Sequence, residues 1–156
     1  MKKIFVEGHP DLTLVRAMGF TRKNSKALGP KGEVINHVRK QTDGVALVDE
    51  DPQETPSAYL QKLKKEELGI SFLRFTDVKK NNKIIALRPR LEEWIIRIST
   101  DSDISLPIDF GLPDTPKELH DVLPQRLPQL EKLIKHLLDI KNPAIIHLQS
   151  LLTEKT

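Results

Sequence analysis

Residues 44–52 read Gly-Val-Ala-Leu-Val-Asp-Glu-Asp-Pro, an apolar run that stops at a group of acids. A continuous run of β-prone residues is typical of a strand that is buried on both faces of a parallel sheet. Asp49 and Asp51 are two positions apart, so in extended geometry their side chains leave on the same side of the strand, and Glu50 leaves on the other. The stretch therefore predicts a central strand with two carboxylates at its carboxyl end.

A second predicted strand ends in the same way near the amino terminus. The run Lys3-Ile4-Phe5-Val6 predicts a short buried strand, and Glu7-Gly8 follows it directly. Sites in open α/β sheets form at the carboxyl ends of the strands. If the two strands are neighbours, Glu7 converges with Asp49 and Asp51, and such a group of like charges needs a cation to hold it together. Because these ligands are all oxygens, the expected ion is Mg²⁺ or Mn²⁺.

Strand and helix patterns alternate along the rest of the chain. Helices are predicted after Asp11 as N-cap, around 34–38, from Thr55-Pro56 to Gly69, after Pro89, after Thr115-Pro116, from Leu127 and from Asn142-Pro143. Strands are predicted over 25–28, 70–75 and 83–87, the last two as a β-hairpin with its tip at 79–82, and residues 99–116 are predicted as loop. The pattern indicates an α/β fold with a mostly parallel sheet, a β-hairpin and C-terminal helices that cover the sheet.

The two acidic strand ends together resemble the signature of the Toprim domain, a Glu-Gly after the first strand and an Asp-x-Asp after the third. That domain occurs in topoisomerases, bacterial primases, ribosomal RNA maturases, recombination mediators and OLD-family nucleases. The resemblance implies a Rossmann-like Toprim core over residues 1–98, with a loop and helices over 99–156 packed on the same domain. It also implies that Glu7 acts as a general acid/base or a metal ligand, and that Asp49 and Asp51 hold Mg²⁺ or Mn²⁺.

Two further acids are candidate ligands, because the OLD-type nucleases that the chain resembles have additional acids around a second metal ion. Asp11 follows the Glu-Gly turn, where the alternative role is that of a helix N-cap. Glu92 lies beside the apolar face of the helix after Pro89, where the alternative is a solvated helix acid. Glu93 is expected to pair with Arg97 four residues later.

The function that the resemblance implies is divalent-metal-dependent phosphodiester chemistry on nucleic acid, as a small nuclease. One alternative is a catalytically silent nucleic-acid-binding or assembly module with the same fold, in which the C-terminal helices form a homodimer or partner interface. Another is a phosphoacceptor receiver-like domain, which also has acids after strands one and three. Such domains usually have paired acids after strand one and a late Lys-Pro, whereas this chain has Glu7-Gly8 and Arg88-Pro89.

Basic residues flank the acidic segment on both sides. Residues 16–40 carry seven basic groups and one acid, residues 41–56 carry five acids and no base, and residues 74–97 carry seven basic groups and three acids. A basic path beside acids is typical of a surface that contacts a phosphate backbone, although a solvated face gives the same pattern. The candidate nucleic-acid contacts are Arg16, Arg22, Lys23, Lys26, Lys31, Lys79, Lys80 and Lys83.

Composition narrows the remaining function classes. The chain has 156 residues, a length typical of one domain, and no cysteine, which excludes disulfides, thiol nucleophiles and zinc–thiolate sites. The apolar runs are far shorter than the roughly 20 residues that span a bilayer, and Glu7 interrupts the amino terminus before a signal peptide could form. We therefore expect a cytoplasmic protein that does not bind a membrane.

Overall fold

The strand predicted over 44–48 forms and lies inside a six-stranded sheet. The computed structural model describes residues 2–154, and in that part of the chain the strands are β1 (Ile4–Val6), β2 (Ser25–Ala27), β3 (Val45–Asp49), β4 (Lys64–Leu68), β5 (Phe72–Asp77) and β6 (Asn82–Leu87). Their order across the sheet is β2-β1-β3-β6-β5-β4. β1 pairs in parallel with β2 and β3, and β3 pairs in parallel with β6. β5 pairs antiparallel with both β4 and β6, so the sheet is mixed.

Helices lie on both faces of this sheet. They are α1 (His9–Ala17), α2 (Lys31–Arg39), α3 (Ala58–Gln61), α4 (Leu91–Asp101), α5 (Pro116–Val122), α6 (Leu127–Asp139) and α7 (Pro143–Thr153). A π-helical turn covers Leu106–Phe110, and a 3₁₀ turn covers Leu123–Gln125. The α/β class is therefore confirmed, with helices that follow or precede the strands much as the sequence pattern predicts.

Each face of the sheet carries its own hydrophobic cluster, and helices cover one of these clusters more fully than the other. Alternate residues of β1 and β3 point to opposite faces, as the two-residue period of a strand requires. Ile4 and Leu47 pack in the larger cluster, with Trp94 of α4 and with apolar residues of α1, α6 and α7. Phe5 and Ala46 pack in the smaller cluster, which is covered by α2 and by the single turn of α3. The C-terminal helices thus cover one face of the sheet, whereas the opposite face has much less helical cover.

The prediction of a helix from residue 55 to Gly69 is wrong over most of that range. Only Ala58–Gln61 is helical, and residues 64–68 form the edge strand β4. Glu66 of β4 lies opposite Arg74 of β5, and their side chains form an ion pair with a 3.0 Å N–O distance. Gly69 has a φ of +67°, which suits the turn between these strands. The Lys-Lys-Glu-Glu-Leu sequence has good helix formers, so tertiary pairing with β5 overrides local propensity here.

Two smaller differences concern the middle of the chain. Residues 99–116 are not all loop, because α4 continues to Asp101 and the π-helical turn starts at Leu106.

Among residues 2–154, none of the helices is both long and apolar enough to cross a membrane.

Candidate functional site

Glu7 and Asp49 meet at the carboxyl edge of the sheet. Glu7 follows β1 and Asp49 is the last residue of β3, and these strands are neighbours in parallel register. The Glu7 Oε2 atom accepts a hydrogen bond of 3.1 Å from the backbone N–H of Asp49. The two strands are therefore neighbours, as the convergence of Glu7 and Asp49 requires.

Asp11 joins this edge from α1, although not as the N-cap that the sequence suggested. Gly8 is the N-cap, and Asp11 is the third helical residue, where its Oδ2 atom accepts a 3.1 Å hydrogen bond from the Gly8 N–H. Asp11 is 7% exposed. A cap three residues earlier than expected thus turns this carboxylate inward, where the charge of Glu7 acts on Asp11 and the charge of Asp11 acts on Asp49.

Asp51 does not leave the strand in the extended geometry that the two-residue spacing predicted. Its φ is +47°, a left-handed conformation, and its Oδ1 atom accepts a 3.0 Å bond from the Arg90 Nε. Glu50 likewise pairs with Arg88, at 3.3 Å. Asp51 therefore lies at the border of the site, where an arginine balances it, and its charge still reaches Glu7 and Asp49.

Glu92 enters the same edge from the first turn of α4. The backbone N–H of Leu91 donates a 3.0 Å hydrogen bond to Asp49 Oδ1, which fixes the start of α4 against the end of β3. Glu92 is 7% exposed, and its Oε2 atom is buried without a hydrogen-bond partner among the described residues. The solvated-acid alternative is thus wrong. The predicted Glu93–Arg97 pair is also absent, because Glu93 pairs with Arg90, at 3.2 Å, while Arg97 donates to backbone oxygens.

His120 is a member of the site that sequence reasoning missed. Its Nδ1 atom lies 2.5 Å from Glu92 Oε1, and this hydrogen bond raises the pKa of the imidazole. The side chain of His120 is 74% exposed, so it lies at the outer surface of the site. His120 and Glu92 are 28 residues apart on different helices. The only sequence signal was the helix start at Thr115-Pro116, which does not say where α5 packs.

Burial and mutual repulsion raise the pKa values of three carboxyl groups at this edge, those of Asp49, Asp11 and Glu7. Burial, followed by the charges of Asp11, Glu7, Glu92 and Asp51, raises the pKa of Asp49 to about 9. Burial and the charge of Glu7 raise the pKa of Asp11 to about 7. Burial also raises the pKa of Glu7, although the Asp49 N–H and the charge of Lys31 act in the opposite direction. We name Glu7, Asp11, Asp49 and Glu92 the acidic cluster; its charges are close enough to repel one another strongly.

The predicted nucleic-acid contacts are distributed over both ends of the sheet. Lys31, at the start of α2, lies at the acidic edge, where its Nζ donates a 2.8 Å bond to the Glu50 carbonyl. Arg22 and Lys23 precede β2, and Lys79 and Lys80 lie in the β5–β6 turn, so these four lie at the amino ends of the parallel strands, away from the cluster. Arg16 donates to Ser25 Oγ at 3.0 Å, and Lys26 is exposed on edge strand β2. Only Lys31 is therefore brought beside the acids.

Lys83 does not lie on the surface, contrary to the role suggested for it. Its side chain is 0% exposed, and its Nζ atom lies 3.4 Å from the carboxylate of Glu154 near the end of α7. Burial lowers the pKa of this ammonium, and Glu154 acts in the opposite direction. Lys83 is therefore a buried packing residue in this structure, out of reach of a nucleic acid.

In residues 2–154, no group of three or more His, Cys, Asp or Glu side chains is already arranged so that it could hold a metal ion. One oxygen on each of Glu7, Asp11 and Asp49 is bonded to a backbone N–H instead. Comparison of the chain with protein-family models, with curated proteins and with solved structures finds no match.

Proposed function

We propose that this protein is a divalent-metal-dependent phosphodiesterase that acts on nucleic acid, a small nuclease with a Toprim-like core. The observation that carries the proposal is the acidic cluster itself, in which four carboxylates from β1, α1, β3 and α4 meet at one edge of the sheet. The cluster includes Glu92, whose buried Oε2 atom has no hydrogen-bond partner in the described chain. A buried oxygen without a donor is energetically costly, and a cation is one partner that removes that cost.

The donor set fits a hard divalent cation. Every candidate ligand is a carboxylate, and Mg²⁺ and Mn²⁺ prefer oxygen ligands. Glu7, Asp11, Asp49 and Glu92 would hold the ion, with Asp51 close enough to contribute charge. Each of the first three carboxylates accepts from a backbone N–H with one oxygen, so its other oxygen is the one that would contact the ion. When bound, such an ion polarises a phosphodiester and lowers the pKa of a water molecule.

The residues of the chain supply the rest of the chemistry. Burial raises the pKa of Glu7, so its carboxyl group can hold a proton closer to neutral pH than an exposed glutamate can. Lys31, tied to the Glu50 carbonyl, brings a positive charge to the same edge. Glu7-Gly8 after β1 and Asp49-x-Asp51 after β3 are the motifs that resemble the Toprim domain, and both occupy strand ends. These features support the proposal together.

A catalytically silent binding or assembly module is the second candidate. The observation that favours it is that Glu7, Asp11 and Asp49 each accept a hydrogen bond from a backbone N–H, as structural carboxylates do. Such a module would keep the fold and bind without turnover.

A cleavage assay with two matched variants separates these candidates. Purified protein should cleave DNA or RNA when Mg²⁺ or Mn²⁺ is present. We expect Glu7→Gln with Asp49→Asn to reduce the rate at least 100-fold, since both changes remove charge and keep shape. The matched control is Glu131→Gln with Asp139→Asn, two exposed acids of α6, which should leave the rate unchanged. Equal rates in the site variant and the wild type would contradict the nuclease proposal, and so would a wild type that is inactive with both metals on both substrates.

A further inference from the structure

A cavity of about 200 Å³ opens beside the acidic cluster, on the sheet face that has little helical cover. Its apolar lining includes Val48, Leu60, Leu73, Phe75 and Ala86, which belong to the smaller hydrophobic cluster. The cavity exists because α3 is a single turn, so a full helix does not cover this part of the sheet. The polar residues at its border are Lys31, Glu50, Asp51, Glu54 and Lys65.

The border of this cavity is shared with the acidic edge. Lys31, Asp51 and Glu54 line the cavity, and all three also act on the charge of Glu7. Val48 of the lining and Asp49 of the cluster are consecutive residues of β3 that point to opposite faces of the sheet. A molecule bound at the acidic edge could therefore extend over the end of β3 into the cavity.

We propose that the cavity receives one unpaired nucleobase of the substrate, so that the substrate is single-stranded nucleic acid. This inference rests on the proposed nuclease function and adds the form of the strand that the site accepts.

The size and lining of the cavity fit one base. Pockets for drug-sized ligands are about 300–1,000 Å³, so a cavity of about 200 Å³ suits a smaller group. The lining is mostly apolar, and it includes the ring of Phe75, on which a base can stack. Asp51 and Glu54 can accept hydrogen bonds from the polar edge of a base.

The charges at the border fit the phosphates on either side of such a base. Lys31 lies between the cavity and the cluster, and Lys65 lies on the exposed edge strand β4. Two lysines placed in this way can contact successive phosphates of one strand. A base in a duplex is stacked and paired, so it reaches a recessed pocket only if it is first extruded, which takes a few kcal/mol. An unpaired strand avoids that penalty.

Binding of a mononucleotide in the absence of metal tests the pocket without requiring catalysis. The probes are AMP and ribose 5-phosphate, which share a phosphate and differ in the base, in buffer with EDTA. We expect AMP to bind at least 10-fold more tightly than ribose 5-phosphate. Ala86→Leu, which adds bulk to the lining, should abolish that difference, and Ala58→Leu, on the exposed side of α3, should keep it. Equal binding of the two probes to the wild type would overturn the proposal, and so would an unchanged preference in a folded Ala86→Leu variant.

A cleavage measurement distinguishes failure of the base pocket from failure of the proposed nuclease function. With Mg²⁺ or Mn²⁺, we expect cleavage of a single strand to be at least 10-fold faster than cleavage of the same sequence in a duplex. Active protein with no strand preference would overturn the base pocket and leave the nuclease function standing. Base-dependent AMP binding by a protein that cleaves nothing would support the pocket and contradict the nuclease function. Because the AMP comparison is made within the wild type, it does not depend on whether a variant folds.

Discussion

The two edges of the sheet both bury polar side chains, but they treat them in opposite ways. At the amino edge, Asn82 is 0% exposed, and its amide accepts from the Gly44 N–H at 2.8 Å and donates to the Val38 and Gln41 carbonyls. At the carboxyl edge, Glu92 is almost as buried, and one of its oxygens has no hydrogen-bond partner among residues 2–154. Burial alone therefore does not distinguish a structural polar group from a candidate functional one; the supply of donors does.

The titration of one aspartate at each edge shows the same contrast. Burial acts to raise the pKa of Asp77 at the amino edge, but hydrogen bonds from Tyr59 and from the turn at Lys80 outweigh it and lower the pKa. Burial raises the pKa of Asp49 at the carboxyl edge to about 9, and neighbouring carboxylates add to the effect. Groups with strongly shifted pKa values that are not relieved by local partners are typical of functional sites.

The largest change in stability is expected at the amino edge. Asn82→Ala leaves the Gly44 N–H and two carbonyls without their buried partner, and we expect the free energy of unfolding to fall by roughly 3 kcal/mol. Urea denaturation would measure it. A loss under about 0.5 kcal/mol, the range of surface substitutions, would show that the amino edge does not depend on these bonds.

At the carboxyl edge, by contrast, we expect a substitution to raise the free energy of unfolding. The folded-state pKa of Asp49 is raised, so between its unfolded value of 3.8 and about 9 the folded protein binds more protons than the unfolded chain, and this site lowers stability as pH rises. Asp49→Asn removes that charge, and its amide oxygen can still accept from the Leu91 N–H. At pH 8 without metal, we expect the variant to be more stable by about 1–3 kcal/mol.

The pH profile of Asp49→Asn supplies the control for this prediction. The stabilisation should shrink as the pH is lowered toward 4, because the cost of protonating the wild-type carboxyl group on folding falls as the pH approaches its unfolded pKa of 3.8. Asp139→Asn, at an exposed position of α6, should change stability little at any pH. A variant that is less stable than the wild type at pH 8 would contradict the description of the carboxyl edge as a repulsive cluster.

A smaller effect is expected from Tyr59→Phe at the amino edge. The hydroxyl donates a 2.7 Å hydrogen bond to Asp77 Oδ2 and accepts one of 3.3 Å from Asn82. Loss of these bonds should lower the free energy of unfolding by about 1 kcal/mol, as measured by urea denaturation, and should leave cleavage activity unchanged. If cleavage fell together with stability, the two edges would not be independent.

The sequence was sufficient to predict the strand ends of the site, because apolar runs stop where acids begin. Val6 to Glu7 and Val48 to Asp49 mark those ends, and both are local patterns. Asp11 was found by position, but its place in the helix was wrong by three residues, since Gly8 took the cap.

Contacts between distant segments could not be read from local patterns. His120 meets Glu92 because α5 packs near α4, and Lys83 meets Glu154 because α7 brings that residue to it from 71 residues away. The sequence predicts a helix over β4 because Thr55-Pro56 is typical of a helix start and Gly69 of a helix end, and pairing with β5 decides otherwise. The turn at Asp51, where φ is positive, ends the extended geometry that the Asp-x-Asp spacing suggested.

Equilibrium dialysis against Mn²⁺ at pH 7.5 tests most directly whether the carboxyl edge is a cation site. We expect the wild type to retain at least one Mn²⁺ per chain, Glu7→Gln with Asp49→Asn to lose it, and Asp77→Asn at the amino edge to keep it. Two results would contradict a divalent-cation site at the carboxyl edge. One is that the wild type retains no Mn²⁺, and the other is that the Glu7→Gln, Asp49→Asn variant retains as much Mn²⁺ as the wild type.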